Sequence, residues 1–375
     1  MSRRLYLVAG EASGDEHGAA LMRALREIAP DLGFHGRGGP QMTKIADGSF
    51  IDWTDAAAVV GLWEVVKRYG YFREQFQNTL GEVATVNPDA VVLIDYPGFN
   101  LRLARALRKR SPALKIIYYI SPQVWAWNRG RIRQMAGFLD LMLCIFPFEA
   151  DLYNQSGLRT IFVGHPMMEN LAARRTDQAR QADLVALLPG SRLREVRKIF
   201  PIMMEAARKM LAQQGSFRFE VAAASESLAR EIENLLVSSP LRDRVRIVTG
   251  DAAGTMQRAT AGIVASGTAT LEAAYFRLPF ALVYKVSWPT YLAARFLMTT
   301  KYLGMPNVLA GRQIIPEFIQ HDARPEAISQ VVLQLINDSA VRQKMISEFD
   351  AIIAQLGEAG ASARAARAIV AELDL

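Results

Sequence analysis

The 375-residue sequence has few of the residues that build metal centres or disulfide frameworks. It contains one cysteine, Cys144, and four histidines that lie far apart along the chain. A disulfide within the chain is therefore excluded, and no metal-ligand spacing is present. The longest apolar stretch, at 138–148, is interrupted by Asp140 and Pro147 and is shorter than the roughly 20 residues of a membrane-spanning helix. The sequence thus predicts neither a metal site nor a membrane span.

An N-terminal leader pattern is also lacking, because the first four residues run directly into a predicted strand. We therefore expect a cytoplasmic protein. Lysine and arginine number 44 against 37 aspartate and glutamate residues, a net charge of +7. This charge favours an anionic partner, such as a nucleotide, a phosphorylated substrate or an acidic lipid surface. Nucleic acid ranks last, since the basic residues are scattered and no RNA-binding or zinc-finger motif is present.

Apolar strands alternate with amphipathic helices through both halves of the chain. The first half contains predicted strands at 5–9, 90–94, 115–120 and 141–145. The second half contains predicted strands at 184–188, 218–222, 244–248, 262–264 and 280–283. This alternation predicts two α/β domains, each a doubly wound parallel sheet, that face each other across a cleft.

The composition also predicts where the domains begin and end. Polar residues rich in Arg, Gln and Asp separate the two halves, and the C-terminal end is rich in alanine at helical spacing. We place the N-terminal domain at 1–165, the linker at 166–182, the C-terminal domain at 183–345 and closing helices at 346–375.

The first predicted strand ends in a loop with the sequence VAGEASGD. The loop residues of interest are Gly10, Glu11, Ser13 and Gly14. They follow the carboxyl end of the strand, where α/β sheets bind ligands. A capping box of Ser13 with Glu16 is the simpler interpretation, but it leaves both glycines and Glu11 unexplained. The spacing of the glycines does not fit the G-x-G-x-x-G pattern of nicotinamide dinucleotide domains.

Two loops of the second half open helices directly after strands. The residues are Gly190, Ser191 and Arg192 in the first loop and Ser266, Gly267 and Thr268 in the second. Backbone amides and an arginine in such positions favour a phosphate. Glu272, one turn into the later helix, can accept hydrogen bonds from both hydroxyls of a ribose. A tight turn and helix capping by Thr268 are the structural alternatives.

Two more loops of the first half carry candidate site residues. Asp95 ends a predicted buried strand in IDYPGFN and is either a turn cap or a partly desolvated general base. Ser121, Gln123 and Trp125 lie in SPQVWAWN, whose paired tryptophans either pack in the core or stack on a sugar.

The segment 56–72 mixes aromatic residues with Lys67 and Arg68, and Arg73 follows it. A buried helix is the default interpretation. A basic segment with aromatic residues can also lie at a membrane interface, where it is attracted to anionic lipid.

Six motifs occur in a consistent order between residues 8 and 312, namely VAGEASGD, IDYPGFN, SPQVWAWNRGR, LLPGSRxxEV, ASGTATLE and PNVLAGR. Together they resemble the bacterial lipid A disaccharide synthases, inverting glycosyltransferases of the GT-B type with two Rossmann-like domains. The resemblance implies transfer of 2,3-diacylglucosamine from UDP-2,3-diacylglucosamine to the 6-hydroxyl of 2,3-diacylglucosamine 1-phosphate (lipid X). The products are a β-1,6-linked disaccharide 1-phosphate and UDP, in lipid A (lipopolysaccharide) biosynthesis.

The resemblance also implies roles for individual residues. Asp95 matches the family's proposed base, which takes the proton of the acceptor hydroxyl. The residues that match UDP-binding positions are Arg192, Ser266, Gly267, Thr268, Glu272 and Asn307, with Glu11 and Ser13 in the loop facing them from the other domain. Family members often have a second acidic residue three positions after the aspartate, where this chain has Gly98.

The partners follow from the same resemblance. No metal or other cofactor is expected, because helix dipoles and Arg192 stabilise the leaving diphosphate. Both substrates carry acyl chains, so we expect a peripheral protein on the cytoplasmic face of the inner membrane, next to anionic lipid. Whether the protein is a homo-oligomer stays open. The alternatives are another UDP-sugar enzyme, such as a peptidoglycan-disaccharide transferase or an epimerase, and a non-catalytic nucleotide-sugar or lipid-binding protein.

Overall fold

The computed structural model describes residues 3–54, 69–126, 130–288, 291, 298 and 300–374. The chain divides by its internal contacts into two compact units. One unit comprises Met1–Glu169 together with Leu356–Leu375, and the other comprises Asn170–Gln355. The boundary after Glu169 falls inside the segment predicted as a linker.

The described residues of the first unit contain a seven-stranded parallel sheet. Its strands are β1 (Arg4–Ala9), β2 (Gly33–Gly38), β3 (Phe50–Asp52), β4 (Ala90–Ile94), β5 (Lys115–Tyr119), β6 (Leu141–Cys144) and β7 (Thr160–Phe162). Its helices are α1 (Ala12–Ile28), α2 (Pro40–Thr43), α3 (Tyr69–Val86), α4 (Pro97–Arg110), α5 (Gly130–Ala136) and α6 (Pro147–Gln155), and the boundary between the units falls inside the next helix, α7 (Met167–Ala173). The spatial order is β3-β2-β1-β4-β5-β6-β7, so the direction of winding reverses between β1 and β4.

The described residues of the second unit form a six-stranded parallel sheet with the same kind of order, β10-β9-β8-β11-β12-β13. Its strands are β8 (Gln181–Leu188), β9 (Arg218–Ala223), β10 (Val245–Thr249), β11 (Ala259–Ala265), β12 (Phe280–Tyr284) and β13 (Glu317–Ile319). Its helices are α8 (Leu193–Gln213), α9 (Glu226–Leu236), α10 (Ala252–Arg258), α11 (Ala269–Tyr275), α12 (Met305–Ala310), α13 (Pro325–Asn337) and α14 (Ser339–Gln355). The winding reverses between β8 and β11.

The last helix, α15 (Ala361–Glu372), packs on α1 and belongs to the first unit, whereas α14 belongs to the second. Glu372 is almost fully buried and accepts a hydrogen bond of 2.8 Å from Lys115. The Nε atom of Arg364 donates to the carbonyl oxygen of Val163 over 2.7 Å. The C-terminal segment predicted to form closing helices is therefore shared between the units: α14 belongs to the second unit and α15 to the first.

Central strands of both sheets are buried along almost their whole length, as expected where helices cover both faces of a parallel sheet. This confirms the predicted fold class of two doubly wound α/β sheets. Strands β2, β3, β7 and β13 were not predicted, because three of them have only three residues and half of β2 (GFHGRG) is glycine. None of the described helices has the length and apolar character needed to cross a bilayer.

Candidate functional site

The first candidate site lies where the winding of the first sheet reverses. Strands β1 and β4 are hydrogen-bonded neighbours, with Ala9 opposite Ile94. Gly10 and Asp95 are the next residues of the two strands, so both leave the sheet at its carboxyl edge, side by side. Ligands of open α/β sheets bind at this reversal point.

The backbone of Asp95 is held in an uncommon conformation. Asp95 and Tyr96 have φ angles of 47° and 50°, in the left-handed region, which costs a non-glycine residue about 1 kcal/mol or more. The amide of Asp95 donates to the Tyr119 carbonyl over 2.9 Å. Its own carbonyl accepts from the Tyr118 hydroxyl at 2.6 Å and the Asn100 amide at 2.8 Å. Three hydrogen bonds thus fix the turn that aims the carboxylate.

The carboxyl group of Asp95 has a perturbed acidity. Burial, and to a smaller extent the negative charge of Glu11, raise its pKa from 3.8 to about 6. A hydrogen bond from the Tyr96 amide acts in the opposite direction. At neutral pH the group is ionised, yet it is a stronger base than an ordinary aspartate. Such a carboxylate suits general-base catalysis.

The glycines of the first loop allow close packing around this site. A Cβ atom on Gly10 would overlap the ring of Tyr96, so glycine is required for the ring to lie over the loop. Gly14 is buried, and a Cβ atom there would lie 3.3 Å from that of Ala9. The Tyr96 ring also makes an edge contact with Trp53, at 6.1 Å between ring centroids.

The capping box proposed for this loop is not formed. Helix α1 begins at Ala12, and its N-cap residue is Glu11, whose side chain makes no capping hydrogen bond. Ser13 and Glu16 therefore lie inside the helix. The side chains of Glu11 and Ser13 are exposed, so both are available to a ligand.

The predicted acceptor residues Ser121 and Trp125 point into the core instead. Both are buried, and both donate to the carboxylate of Glu149, over 2.7 Å in the case of the Trp125 indole. Their assignment to an acceptor site is corrected accordingly, because their polar atoms are used internally. Gln123 is exposed, whereas Trp127 and Asn128 lie outside the described residues.

Sequence reasoning missed Glu149, which lies 28 residues after Ser121 in the chain. It is completely buried, and burial raises its pKa to about 7. The Phe146 amide also donates to it over 3.2 Å. The sequence showed only that Glu149 is an acidic residue in the first turn of a predicted helix. This did not predict its hydrogen bonds with Ser121, Trp125 and Phe146.

The second candidate site lies at the reversal point of the second sheet, where Leu188 of β8 is opposite Val264 of β11. Gly190 has a φ of 111°, a conformation that favours glycine. The Ser191 amide and the Arg192 guanidinium each donate over 3.2 Å to the carboxylate of Glu195. Two separate donors of this loop therefore converge on one carboxylate.

The loop after β11 is at least partly accessible to solvent. Ser266 is half-buried, and Gly267 and Thr268 are exposed. Thr268 is the N-cap residue of α11 but makes no side-chain capping bond, so capping does not explain it. Glu272 is half-buried; burial raises its pKa and the positive charge of Arg174 lowers it.

Asn307 has a structural role that its motif did not reveal. Its side chain is fully buried. The side-chain nitrogen donates to the carbonyl oxygen of Ile315 over 2.9 Å and to the carboxylate of Glu317 over 2.7 Å. The side-chain oxygen accepts from the backbone amides of Ile314 and Ile315 over 2.7 and 2.9 Å. With four hydrogen bonds made, the side chain has no donor or acceptor left for a nucleotide. The predicted nucleotide contact is therefore corrected: the Asn307 side chain holds the segment 314–317 in place by hydrogen bonds.

Of the proposed membrane segment 56–72, the structure describes residues 69–72. Lys67 and Arg68 lie outside the described residues, and Arg73, which follows the segment, is an exposed residue of α3. Gly98, which stands where an acidic residue was expected, has no atom within 4 Å of the position of a Cβ atom.

Comparison with known proteins identifies relatives along the whole chain. A model of the family described as lipid-A-disaccharide synthetase matches residues 5–370. The lipid-A-disaccharide synthase of Myxococcus xanthus is 36% identical over 98% of this chain and 97% of its own. That of Geobacter sulfurreducens is 38% identical over 97% of this chain and 96% of its own.

Solved structures share the fold at low identity. A putative UDP-N-acetylglucosamine 2-epimerase from Listeria monocytogenes has a TM-score of 0.65 at 14% identity, covering 100% of this chain and 97% of its own. The calicheamicin glycosyltransferase CalG4 has a TM-score of 0.61 at 15% identity, covering 100% and 99%. At such identities the likeness shows the fold alone, which is that of GT-B enzymes.

Proposed function

The chain belongs to the lipid-A-disaccharide synthetase family, and we propose that its acceptor is lipid X and that Asp95 is its catalytic base. Family membership makes it a glycosyltransferase that forms the lipid A disaccharide from a UDP-sugar. The proposed donor is UDP-2,3-diacylglucosamine, and the products are the β-1,6-linked disaccharide 1-phosphate and UDP. The observation that carries the assignment of the base is the position of Asp95 at the reversal point, with a pKa of about 6.

In the proposed reaction the carboxylate of Asp95 takes the proton of the acceptor's 6-hydroxyl. The hydroxyl oxygen attacks the anomeric carbon of the donor, and the bond from this carbon to the diphosphate oxygen breaks. The electron pair of that bond leaves with UDP, so the configuration at the anomeric carbon is inverted. Because the turn at Asp95 is fixed by three hydrogen bonds, the base needs little reorganisation to act.

We propose that the second unit binds the UDP moiety. The Ser191 amide and Arg192 already hold a carboxylate, that of Glu195, and the diphosphate would replace it on these donors. The loop at 266–268 supplies further amides, and Glu272 accepts hydrogen bonds from the ribose. Positive groups there stabilise the charge that develops on the leaving diphosphate.

Product analysis by mass spectrometry tests the reaction. Purified protein is incubated with UDP-2,3-diacylglucosamine and lipid X, without added metal, next to the Asp95→Asn variant. We expect wild type to release a disaccharide 1-phosphate and UDP, and the variant to release far less. Unreacted lipid X beside hydrolysed or epimerised donor would instead assign the chain to another UDP-sugar reaction. UDP binding without any turnover would indicate a binding protein.

We also propose that the protein works at the surface of the inner membrane. The support is the net charge of +7 together with two proposed substrates that carry acyl chains. Sedimentation with vesicles tests it: binding to phosphatidylglycerol vesicles should exceed binding to phosphatidylcholine vesicles and decline with salt. Equal binding to both vesicle types would contradict the proposal.

A further inference from the structure

A small groove with a basic lining opens at the start of α4, the helix that follows the turn of Asp95. Its volume is about 210 Å³, and its wall includes Gly98, Arg102, Arg105, Arg131, Met135 and Phe138. None of the described residues that line it is acidic. The groove therefore combines three guanidinium groups with an apolar floor.

The groove is connected to the base through one helix. Helix α4 begins at Pro97, two residues after Asp95. Gly98, Arg102 and Arg105 follow one another at spacings of four and three residues, so they lie on one face of α4. At a rise of 1.5 Å per residue, the two arginines lie about 6 and about 10 Å along the axis from Gly98. Counted from Asp95, Arg102 and Arg105 are seven and ten residues further along the chain, which corresponds to about two and about three helical turns.

Arg102 and Arg105 are not used to neutralise acidic side chains of the described residues. Within the described part of the chain, Arg102 and Arg105 form no ion pair, whereas Arg108 on the same helix pairs with Asp140. Arg105 donates to the neutral side chain of Gln134 over 3.0 Å and lies over the Phe138 ring at 5.3 Å. The guanidinium of Arg105 is therefore oriented by neutral groups while its charge stays available to an anion.

We propose that this groove binds the 1-phosphate of the acceptor, a sugar phosphomonoester; the proposal rests on the function proposed above. The acceptor must present its 6-hydroxyl to Asp95, and its phosphate is attached to carbon 1, which flanks the ring oxygen together with the carbon that carries the 6-hydroxymethyl group. The groove starts in the first turn of the helix that follows Asp95, and long side chains on a helix point back toward its N-terminus, so the arginines can reach toward a sugar held at the base. Arginine side chains are suited to phosphate because they can bind two of its oxygens at once.

This assignment gives the groove a role in selecting the acceptor. The donor carries no phosphomonoester at carbon 1, since that position is esterified to the nucleotide diphosphate. A dianionic phosphate on the acceptor gains most from a site that contains Arg102 and Arg105 and has no carboxylate among its described lining residues. The groove thus favours the acceptor in the orientation that leaves its 6-hydroxyl beside the base.

The test compares acceptors with and without the phosphate. The variant Arg102→Gln/Arg105→Gln removes two charges from the groove. The matched control, Lys109→Gln/Arg110→Gln, removes two charges from the far end of the same helix, where both side chains are exposed and outside the groove. For each protein, KM and kcat are measured in neutral detergent micelles with lipid X and with 2,3-diacylglucosamine that lacks the phosphate.

We expect the groove variant to raise KM for lipid X by about 10- to 100-fold, the effect of losing one or two hydrogen bonds to a charged group. Its KM for the dephosphorylated acceptor and its affinity for UDP should match wild type, and the control variant should match wild type throughout. Thermal unfolding of both variants shows whether the fold is retained.

Three results would overturn the inference while leaving the proposed function intact. They are an unchanged KM for lipid X, an equal loss with both acceptors, and an equal loss in the control variant. Anionic phospholipid head groups share the phosphate chemistry, so binding to phosphatidylglycerol vesicles is measured in parallel. Loss of vesicle binding with an unchanged KM would assign the groove to the membrane. If wild type makes no disaccharide, the proposed function itself fails, and this inference with it.

Discussion

Replacing Asp95 by asparagine removes the proposed catalytic base while keeping the size and the backbone conformation of the residue. Asparagine has nearly the same size and tolerates the left-handed conformation that residue 95 adopts, with a φ of 47°. It cannot take a proton from a hydroxyl. We therefore expect kcat to fall by roughly 100- to 10,000-fold, the usual contribution of a general base. UDP affinity, measured by calorimetry, should stay at the wild-type value.

The same substitution should stabilise the protein at high pH. The folded-state pKa of Asp95 is raised from 3.8 to about 6, so the folded protein binds this proton more tightly than the unfolded chain. Wild type consequently loses stability as the pH rises from about 4 to 6, and the loss persists above that window. The difference of about two pKa units, discounted for partial exposure, corresponds to about 2 kcal/mol. Asparagine carries no such penalty.

Denaturant unfolding at pH 4, 6 and 8 measures this effect. Asp95→Asn should be more stable than wild type at pH 8 by about 2 kcal/mol, with the difference shrinking toward pH 4. A variant that keeps wild-type turnover and is less stable at pH 8 would refute the reasoning, because Asp95 would then be a structural cap. The base would have to be sought elsewhere, with Glu11 as the next candidate.

The pH dependence of turnover supplies an independent check. Activity should decline below a pH of about 6, where Asp95 becomes protonated. Glu11→Gln removes the second cause of the raised pKa and leaves the larger one, burial, in place. The acidic limb of the profile should therefore move down by at most about one pH unit. An upward shift, or none, would contradict the proposed electrostatics.

Arg192→Ala should weaken UDP binding by roughly 10- to 100-fold in calorimetry, and unchanged affinity would remove Arg192 from the site. Gly10→Ala should lower kcat by about 100-fold at constant UDP affinity, because its methyl group displaces Tyr96 beside the base; wild-type kinetics would show that the ring position is irrelevant. Asn307→Ala should lower the free energy of unfolding by about 3 kcal/mol or more, since it breaks four buried hydrogen bonds. A change in UDP affinity without loss of stability would restore Asn307 as a ligand.

The sequence predicted those strands that are recognisable from the pattern of a few neighbouring residues. Strands β1, β4, β8 and β11 are apolar runs that end in loops rich in glycine or polar residues, and the pattern identified each of them. The strand order and the two reversal points follow from that alternation together with the general topology of α/β sheets. The positions of Asp95 and Arg192 at the carboxyl ends of strands were therefore predictable.

The errors concern partners that are distant in sequence. Ser121 and Trp125 follow β5 closely, but their hydrogen-bond acceptor is Glu149 on the helix after the next strand. Asn307 lies in a motif whose loop folds back, so its amide is saturated by residues 314–317. In both cases a polar side chain in a motif satisfies buried backbone or side-chain groups. Sequence alone cannot distinguish a polar residue that pairs with buried polar groups from one that binds a ligand, because both roles require the same residue types.

Two sheets of the same topology nevertheless provide opposite electrostatic environments at their reversal points. In the first unit, burial and the neighbouring charge of Glu11 make the negative form of Asp95 costly, so the carboxylate gains by accepting a proton. In the second, an exposed turn at Gly190 presents an amide and the Arg192 guanidinium, which gain by holding negative charge. A reaction that moves a proton off an acceptor hydroxyl and places charge on a departing diphosphate needs both environments. The shared fold provides the two positions, and the residues at each position determine which charge it stabilises.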